Sequence, residues 1–394
     1  MIPTNILFYP HPEHNLRIFC YNKRMRIGID ARMYGPSVGG GGLGRYIEQF
    51  LKELPNVDQQ NRYVLFGSAL NLFRDVPNFD TINTRIPWYS LQEQIQLPRV
   101  IDGQRLDLIH FPHWNVPLRL KTPFVVTIHD LILLKEPRSA RATTRHPFVY
   151  ALKYQGFKRV LSHAVEKSQK IITISEATKH DLITYFPRLS PQKITVIYEG
   201  VTKLPPSTSS KSPLPFPYLL YVGNCYPHKH LEFLLDVFDR LHPNFPDLHL
   251  VFAGRDDRFS QMLERTSKTH SSGSHIRFMK NPPDTALCEL YTYAQLYVFP
   301  SRVEGFGLPP LEAMAQGTPV ACSNIPVLQE ILGNAAVYFP QDNAAQAARI
   351  LTDLLHNPQE RTELIEQGFT QIQRYSWKDM AQQIQRLYLS CEHP

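Results

Sequence analysis

The sequence predicts an α/β fold of two successive doubly wound domains, each a parallel sheet flanked by helices. Short apolar strands alternate with helical patterns along the chain. One stretch, TKLPPSTSSKSPLPFP at 202–217, carries five prolines and four serines, so it holds neither a helix nor a central strand and reads as an interdomain linker. Beyond it the strand–helix alternation restarts.

The first domain spans 25–201, with strands read at 26–30, 63–66, 107–111, 124–128, 170–174 and 194–198. The second spans 218–377, with strands at 218–222, 248–253, 276–278, 296–300, 319–322 and 336–339. Residues 1–24 have weak periodicity and read as an extension before the first strand, with Met25 a candidate start. Ligands of such sheets bind beyond the carboxyl ends of the strands, so two such domains place the expected site in a central cleft.

Hydrophobic residues make up 43% of the chain and charged residues 20%, the balance of a globular protein. No apolar run is long enough to span a bilayer, and no basic segment followed by an apolar one opens the chain. Neither a transmembrane helix nor a secretory signal is expected. The five scattered cysteines lack CxxC spacing, which argues against a disulfide framework and against metal ligation; a cytoplasmic location fits best.

The net charge of +7 is local, because nine Lys/Arg stand against two Glu between Lys135 and Lys170. Phe148, Tyr150, Leu152, Tyr154 and Phe157 are interleaved with them. The 135–170 stretch therefore reads as a peripheral contact with an anionic membrane face or an acidic acceptor, or as a solvated helix whose aromatics face the core. Nucleic acid is not an expected partner, since no nucleic-acid motif accompanies the charge.

Residues 39–44 read GGGGLG ahead of a helix at 43–54. A dinucleotide fingerprint needs its first glycine directly after the strand and a carboxylate at the end of the next strand. Here eight residues separate Asp30 from Gly39, and the strand at 63–66 ends without a carboxylate. A nicotinamide-dependent dehydrogenase is thus disfavoured. Glycines at a helix N-terminus still let backbone amides approach a phosphate or sugar, and a merely flexible loop is the alternative.

His129 and Asp130 stand at the carboxyl end of a buried strand. His129 can donate to a sugar hydroxyl or carry a proton, or be a structural histidine, and Asp130 can form an Asx-type cap. HFPHW, with His110, His113 and Trp114, lines the same edge and can shape an acceptor pocket. In the second domain, GNCYPHKH follows the first strand, and Lys229 is read at the start of the next helix, where a cation and helix amides suit a diphosphate.

VFPSRVEGFGLPPLEAMAQGTPV carries the most information. Glu304, Gly305, Phe306 and Gly307 form a loop, Pro309 and Pro310 open a helix, and Glu312 is read in its first turn. Both prolines lack an N–H, so amides for a phosphate come mostly from Gly305 to Leu308. Two carboxylates beside a phosphate site make sense if each accepts hydrogen bonds from vicinal hydroxyls. The alternative, that Glu312 only complements the helix dipole, leaves Glu304 and the glycines unexplained.

The segment 304–320, together with IDARM, G-x-GRY, TIHDL, ITISEATKHDL and YVGN-x-x-PHK in order, resembles the retaining GT-B glycosyltransferases of group 1, a large family that includes bacterial mannosyltransferases and sucrose-synthase-like enzymes. The resemblance covers about residue 25 to the C-terminus. It implies two Rossmann-like domains facing a cleft, and a last helix, 378–394, crossing back onto the first domain. It implies that Glu304 contacts the donor sugar and Glu312 the ribose. Lys229 and the amides of Gly305–Leu308 would hold the diphosphate, His129 would face the reaction centre, and Gly41 and Gly42 would close over the donor. Many relatives carry an arginine where this chain has Asn224. Either Asn224 donates a neutral hydrogen bond, or Arg302 or Arg255 substitutes.

The activity so implied is hexosyl transfer, mannose leading, from a GDP- or UDP-linked sugar to a saccharide or lipid-linked acceptor with retention. No cofactor and no metal are expected, because there is no Asp-x-Asp motif. A non-catalytic sugar-nucleotide-binding protein is the alternative outside enzymology.

Overall fold

The computed structural model describes residues 24–35, 41–137, 147–202, 204 and 211–391. The extension at 1–23, Gly39 and Gly40, Arg138, Arg141 and Arg145 of the basic stretch, and residues 203 and 205–210 of the linker lie outside the described residues.

In the first half the strands are Arg26–Asp30 (β1), Arg62–Gly67 (β2), Phe79–Asn83 (β3), Leu108–Phe111 (β4), Phe124–Ile128 (β5), Lys170–Thr173 (β6) and Ile194–Val196 (β7). In the second they are Tyr218–Val222 (β8), His249–Gly254 (β9), Ile276–Lys280 (β10), Leu296–Phe299 (β11), Val320–Ser323 (β12) and Ala336–Phe339 (β13). They form two parallel sheets, ordered β3-β2-β1-β4-β5-β6-β7 and β10-β9-β8-β11-β12-β13. β3 lies between the strands expected at 63–66 and 107–111 and matches none of those expected. It is a half-exposed edge strand, FDTIN, whose alternating polar residues offer no apolar run.

Both sheets reverse their order at one place, where β1 lies beside β4 and β8 beside β11. Connections leave in opposite directions there and open a crevice at the carboxyl ends. The segments after these four strands lead to Gly41 and Gly42, to Pro112, His113 and Trp114, to the PHK turn and to the glutamate segment.

The helix Gly42–Val57 buries Tyr46, Ile47, Phe50, Leu51 and Leu54, one helical stripe. The C-terminal helix, Trp377–Leu389, packs against it through residues such as Met380, Ile384 and Tyr388. Ser376 starts that helix by accepting the Asp379 amide at 3.2 Å. The second domain's last element therefore completes the first domain's core. The sheet's other face is covered by the helices Leu91–Asp102 and Pro147–Lys167.

Candidate active site

The glutamate segment leaves β11 as a loop that presses on the first domain. A Cβ on Gly305 would stand 2.2 Å from the carbonyl oxygen of His129, so a side chain here would force the domains apart. Ser175 Oγ donates to the Gly305 carbonyl at 2.8 Å across the same contact. Gly307, at φ 103°, caps the helix Leu308–Ala315 from a left-handed conformation that glycine adopts without steric cost. Phe306 is buried beneath the loop.

Glu312 is the fifth residue of that helix, so it lies in the second turn rather than the first. The helix opens at Leu308, and both prolines fall among the first positions, whose amides have no intrahelical acceptor in any case. Glu312 is buried, and burial pushes its carboxyl above the usual range while Arg45 opposes the shift. Arg45 Nη1 donates to Glu312 Oε1, and its Nη2 lies 3.5 Å from Asp284. The Tyr291 hydroxyl donates to Glu312 Oε2 at 3.4 Å.

Lys229 lies in a 3₁₀ turn, Pro227–Lys229. The following helix starts only at Leu231, behind His230 in a left-handed conformation, which corrects the expectation that Lys229 begins it. Its Nζ sits 2.5 Å from Glu304 Oε1 and 5.2 Å from the centre of the Phe299 ring. Asn224 Oδ1 accepts the Tyr226 amide at 3.3 Å, and its carbonyl accepts the Tyr221 hydroxyl at 2.7 Å. Arg302 is exposed with Nη2 2.7 Å from His230 Nε2, and Arg255 is exposed as well. Among the described residues, the arginine that meets Glu312 is Arg45.

His129 Nε2 donates to the Pro112 carbonyl at 2.8 Å, and Nδ1 is 3.3 Å from Glu199 Oε1. Its ring meets Tyr46 edge-on at 4.7 Å. Both ring nitrogens are engaged within the first domain, and the carbonyl is what His129 presents to the glutamate loop. Asp130 Oδ1 accepts the Ile132 amide at 2.9 Å, an Asx-type arrangement. Burial, reinforced by Glu304, holds the Asp130 carboxyl above its usual range. His110 does not line the cleft. It is fully buried, with Nδ1 2.6 Å from the Tyr388 hydroxyl and Nε2 2.8 Å from Thr127 Oγ1, because its strand position points into the core. Gly41, at φ 91°, caps the first helix, and beyond it and Gly42 a Cβ would meet nothing within 4 Å.

A model described as "Glycosyltransferase Family 4" matches residues 40–203, and one described as "Glycosyl transferases group 1" matches residues 207–371. The chain is 29% identical over 378 residues to O-antigen chain mannosyltransferase B of Escherichia coli, covering 88% of this chain and 95% of that one. The chain belongs to the group 1 glycosyltransferases. Its fold is similar to that of sucrose-phosphate synthase from Thermosynechococcus elongatus, with a TM-score of 0.73 at 20% identity over 93% of this chain and 99% of that one. It is also similar to Anabaena Alr3699/HepE in complex with UDP and glucose, with a TM-score of 0.71 at 17% identity over 93% and 100%.

The glycosyltransferase thus has GT-B architecture and is a hexosyl-transferring enzyme, which removes the dehydrogenase and the non-catalytic readings. Four of its cleft residues escape the sequence reading. Arg45 stands inside the G-x-GRY motif, and Glu199 directly follows the strand read at 194–198; both signals are legible. Ser175 stands inside ITISEATKHDL, but its contact with Gly305 leaves no trace along the chain, and Glu330 carries no signal, because both act across the domains. Glu330 accepts the amides of Glu176 at 2.6 Å and Ala177 at 2.8 Å, the open N-terminus of the helix Glu176–Tyr185.

Proposed function

We propose that this glycosyltransferase transfers mannose from a nucleoside-diphosphate mannose, GDP-linked in the leading case, to a saccharide or lipid-linked acceptor with retention of configuration. The observation that carries this reading is the pair of carboxylates at the β8/β11 crevice, each held by a cation: Glu304 by Lys229 and Glu312 by Arg45. Both carboxylates keep acceptor capacity for hydroxyl groups, Glu304 for the sugar and Glu312 for the ribose. In this reading Lys229 also faces the donor's diphosphate.

Transfer requires charge on the departing β-phosphate to be met as the anomeric carbon becomes oxocarbenium-like. Lys229 and the amides of Gly305–Leu308 meet that charge in this reading, without a divalent ion. Attack comes from the face that the phosphate leaves, and the phosphate takes the acceptor proton. A glycosyl group trapped covalently on Glu304 would overturn this.

Thermal-shift screening against GDP-, UDP- and ADP-linked hexoses tests the donor, because a specific ligand raises the melting temperature by mass action. GDP-mannose is expected to give the largest shift. Glu312→Ala is expected to weaken donor binding, and Glu304→Gln to slow transfer with binding retained. No shift with any nucleotide sugar would sink the proposal.

A peripheral membrane contact is a second reading. Phe148, Val149 and Leu152 are exposed on the helix Pro147–Lys167, beside exposed Lys153, Lys158 and Arg159. Among the described residues no helix is long and apolar enough to cross a membrane. Co-sedimentation with phosphatidylglycerol vesicles, lost with phosphatidylcholine and in Phe148→Ser/Leu152→Ser, is the expected result.

A further inference from the structure

One carboxylate near the first-domain edge of the cleft organises two aromatic rings. Glu93 is buried, and its Oε1 accepts from Arg32 Nη2 at 2.6 Å and from Asn115 Nδ2 at 2.6 Å. Its Oε2 accepts the Tyr89 amide at 2.9 Å. Arg32 in turn grips Asp30, at the end of β1, through Nε at 2.8 Å and Nη2 at 2.7 Å, and donates to the Ile86 carbonyl at 3.2 Å. Glu93 therefore holds Tyr89 directly and Trp114 through its neighbour Asn115, and the whole arrangement is anchored to the sheet.

The rings so held are stacked. Tyr89 and Trp114 have centroids 5.1 Å apart at 24°, and Phe157 backs Trp114 edge-on at 4.8 Å. Tyr89 is the outer residue of the stack, 55% exposed. Its backbone is left-handed, with φ 57°, a conformation that aromatic residues rarely adopt. The Glu93 bond holds it there.

His113 links this stack to the reaction centre. Its ring lies 4.9 Å from Trp114 and 6.3 Å from His129. Its Nδ1 is buried and has no partner among the described residues. Burial, with His129 beside it, pushes His113 well below the usual imidazole range, so it is neutral and offers an uncharged hydrogen-bonding group.

We propose that Tyr89, backed by Trp114, is a saccharide-acceptor subsite: a pyranose lays its C–H face on the Tyr89 ring while His113 bonds one of its hydroxyls. An aromatic face supplies apolar contact area to a ligand whose rim is polar, which suits a sugar better than an anion. This rests on the transfer reaction proposed above and names where its acceptor binds. A left-handed backbone at an aromatic residue is local strain of the kind that clusters at ligand sites.

The test uses the full chain, the nucleotide sugar selected by thermal shift, and α-mannobiose as acceptor probe. Donor hydrolysis without acceptor and transfer to the probe are measured separately. Tyr89→Asn and Trp114→Ala are expected to raise the KM for mannobiose by about tenfold or more while donor hydrolysis stays within about twofold of wild type. Tyr89→Phe, which keeps the ring, retains the wild-type KM. Tyr89→Asn tolerates the left-handed backbone and is expected to melt no lower than wild type. The subsite is overturned if both ring deletions leave the mannobiose KM unchanged, if hydrolysis falls in parallel with transfer, or if the wild type hydrolyses donor yet never saturates with mannobiose. A wild type that turns over no nucleotide sugar fails one step earlier, in the transfer reaction itself, and takes the subsite with it.

Discussion

Arg45, on the first domain's first helix, closes an ion pair with Glu312 on the second domain's glutamate helix, from 267 residues away. The guanidinium and the carboxylate are both largely shielded, with side chains 15% and 9% exposed. A donor whose ribose binds Glu312 has to share or displace that guanidinium, so donor entry and domain closure draw on the same carboxylate.

The first prediction follows from that pairing. Arg45→Gln and Glu312→Gln should each destabilise the chain, and the double variant should lose less than the sum. A coupling of about 1–3 kcal/mol is expected from urea unfolding of the four proteins, because removing one partner leaves the other buried and unpaired. Strict additivity would mean that the pair contributes nothing to closure.

Gly305→Ala should separate closure from folding. Its new Cβ cannot coexist with the His129 carbonyl at 2.2 Å, so the cleft must open. We expect kcat/KM to fall by roughly a hundredfold or more through misplacement of the loop, with a larger radius of gyration by small-angle scattering. Wild-type activity in this variant would show that the contact is not part of the working conformation.

Glu330→Gln probes the second crossing point. A carboxamide is neutral and accepts through one oxygen only, so one of the amides of Glu176 and Ala177 loses its acceptor and the other keeps an uncharged one. A stability loss of about 1–2 kcal/mol is expected from chemical denaturation, the scale of a lost charge-assisted helix cap.

Acid should weaken the fold through its buried histidines. Burial pushes His110 down from 6.5 to about 3 and His228 to about 4. Below pH 6.5 the unfolded chain takes up protons that these folded sites refuse, so stability is complete above that pH and falls as pH drops toward the folded values. Each histidine contributes a slope of about 1.4 kcal/mol per pH unit over its window. His110→Gln should flatten the pH 6.5-to-4 dependence of urea stability by that amount, and an unchanged slope would contradict it.

Much of the fold is legible in the sequence, because the buried strands are contiguous apolar runs and the linker has its own composition. β3 is missed because a half-exposed edge strand lacks that run. His110 is misread as a cleft residue because strand alternation, not membership of the HFPHW run, decides which face it meets. The glutamate loop is legible for another reason: glycines, prolines and carboxylates within nine positions constrain one another locally.

The sequence by itself determined the two parallel-sheet domains, the glycine-dependent turn at Gly305 and Gly307, and the presence of Lys229, Glu304 and Glu312. All of these follow from neighbours along the chain, through periodicity, backbone freedom and missing amides. Only the tertiary structure decided that Lys229 meets Glu304, 75 residues on, that Arg45 meets Glu312, and that Glu330 caps a helix of the other domain. Spacing along a chain carries no distance between groups on separate sheets. That distance is set by how the two crevices face each other once both cores have formed.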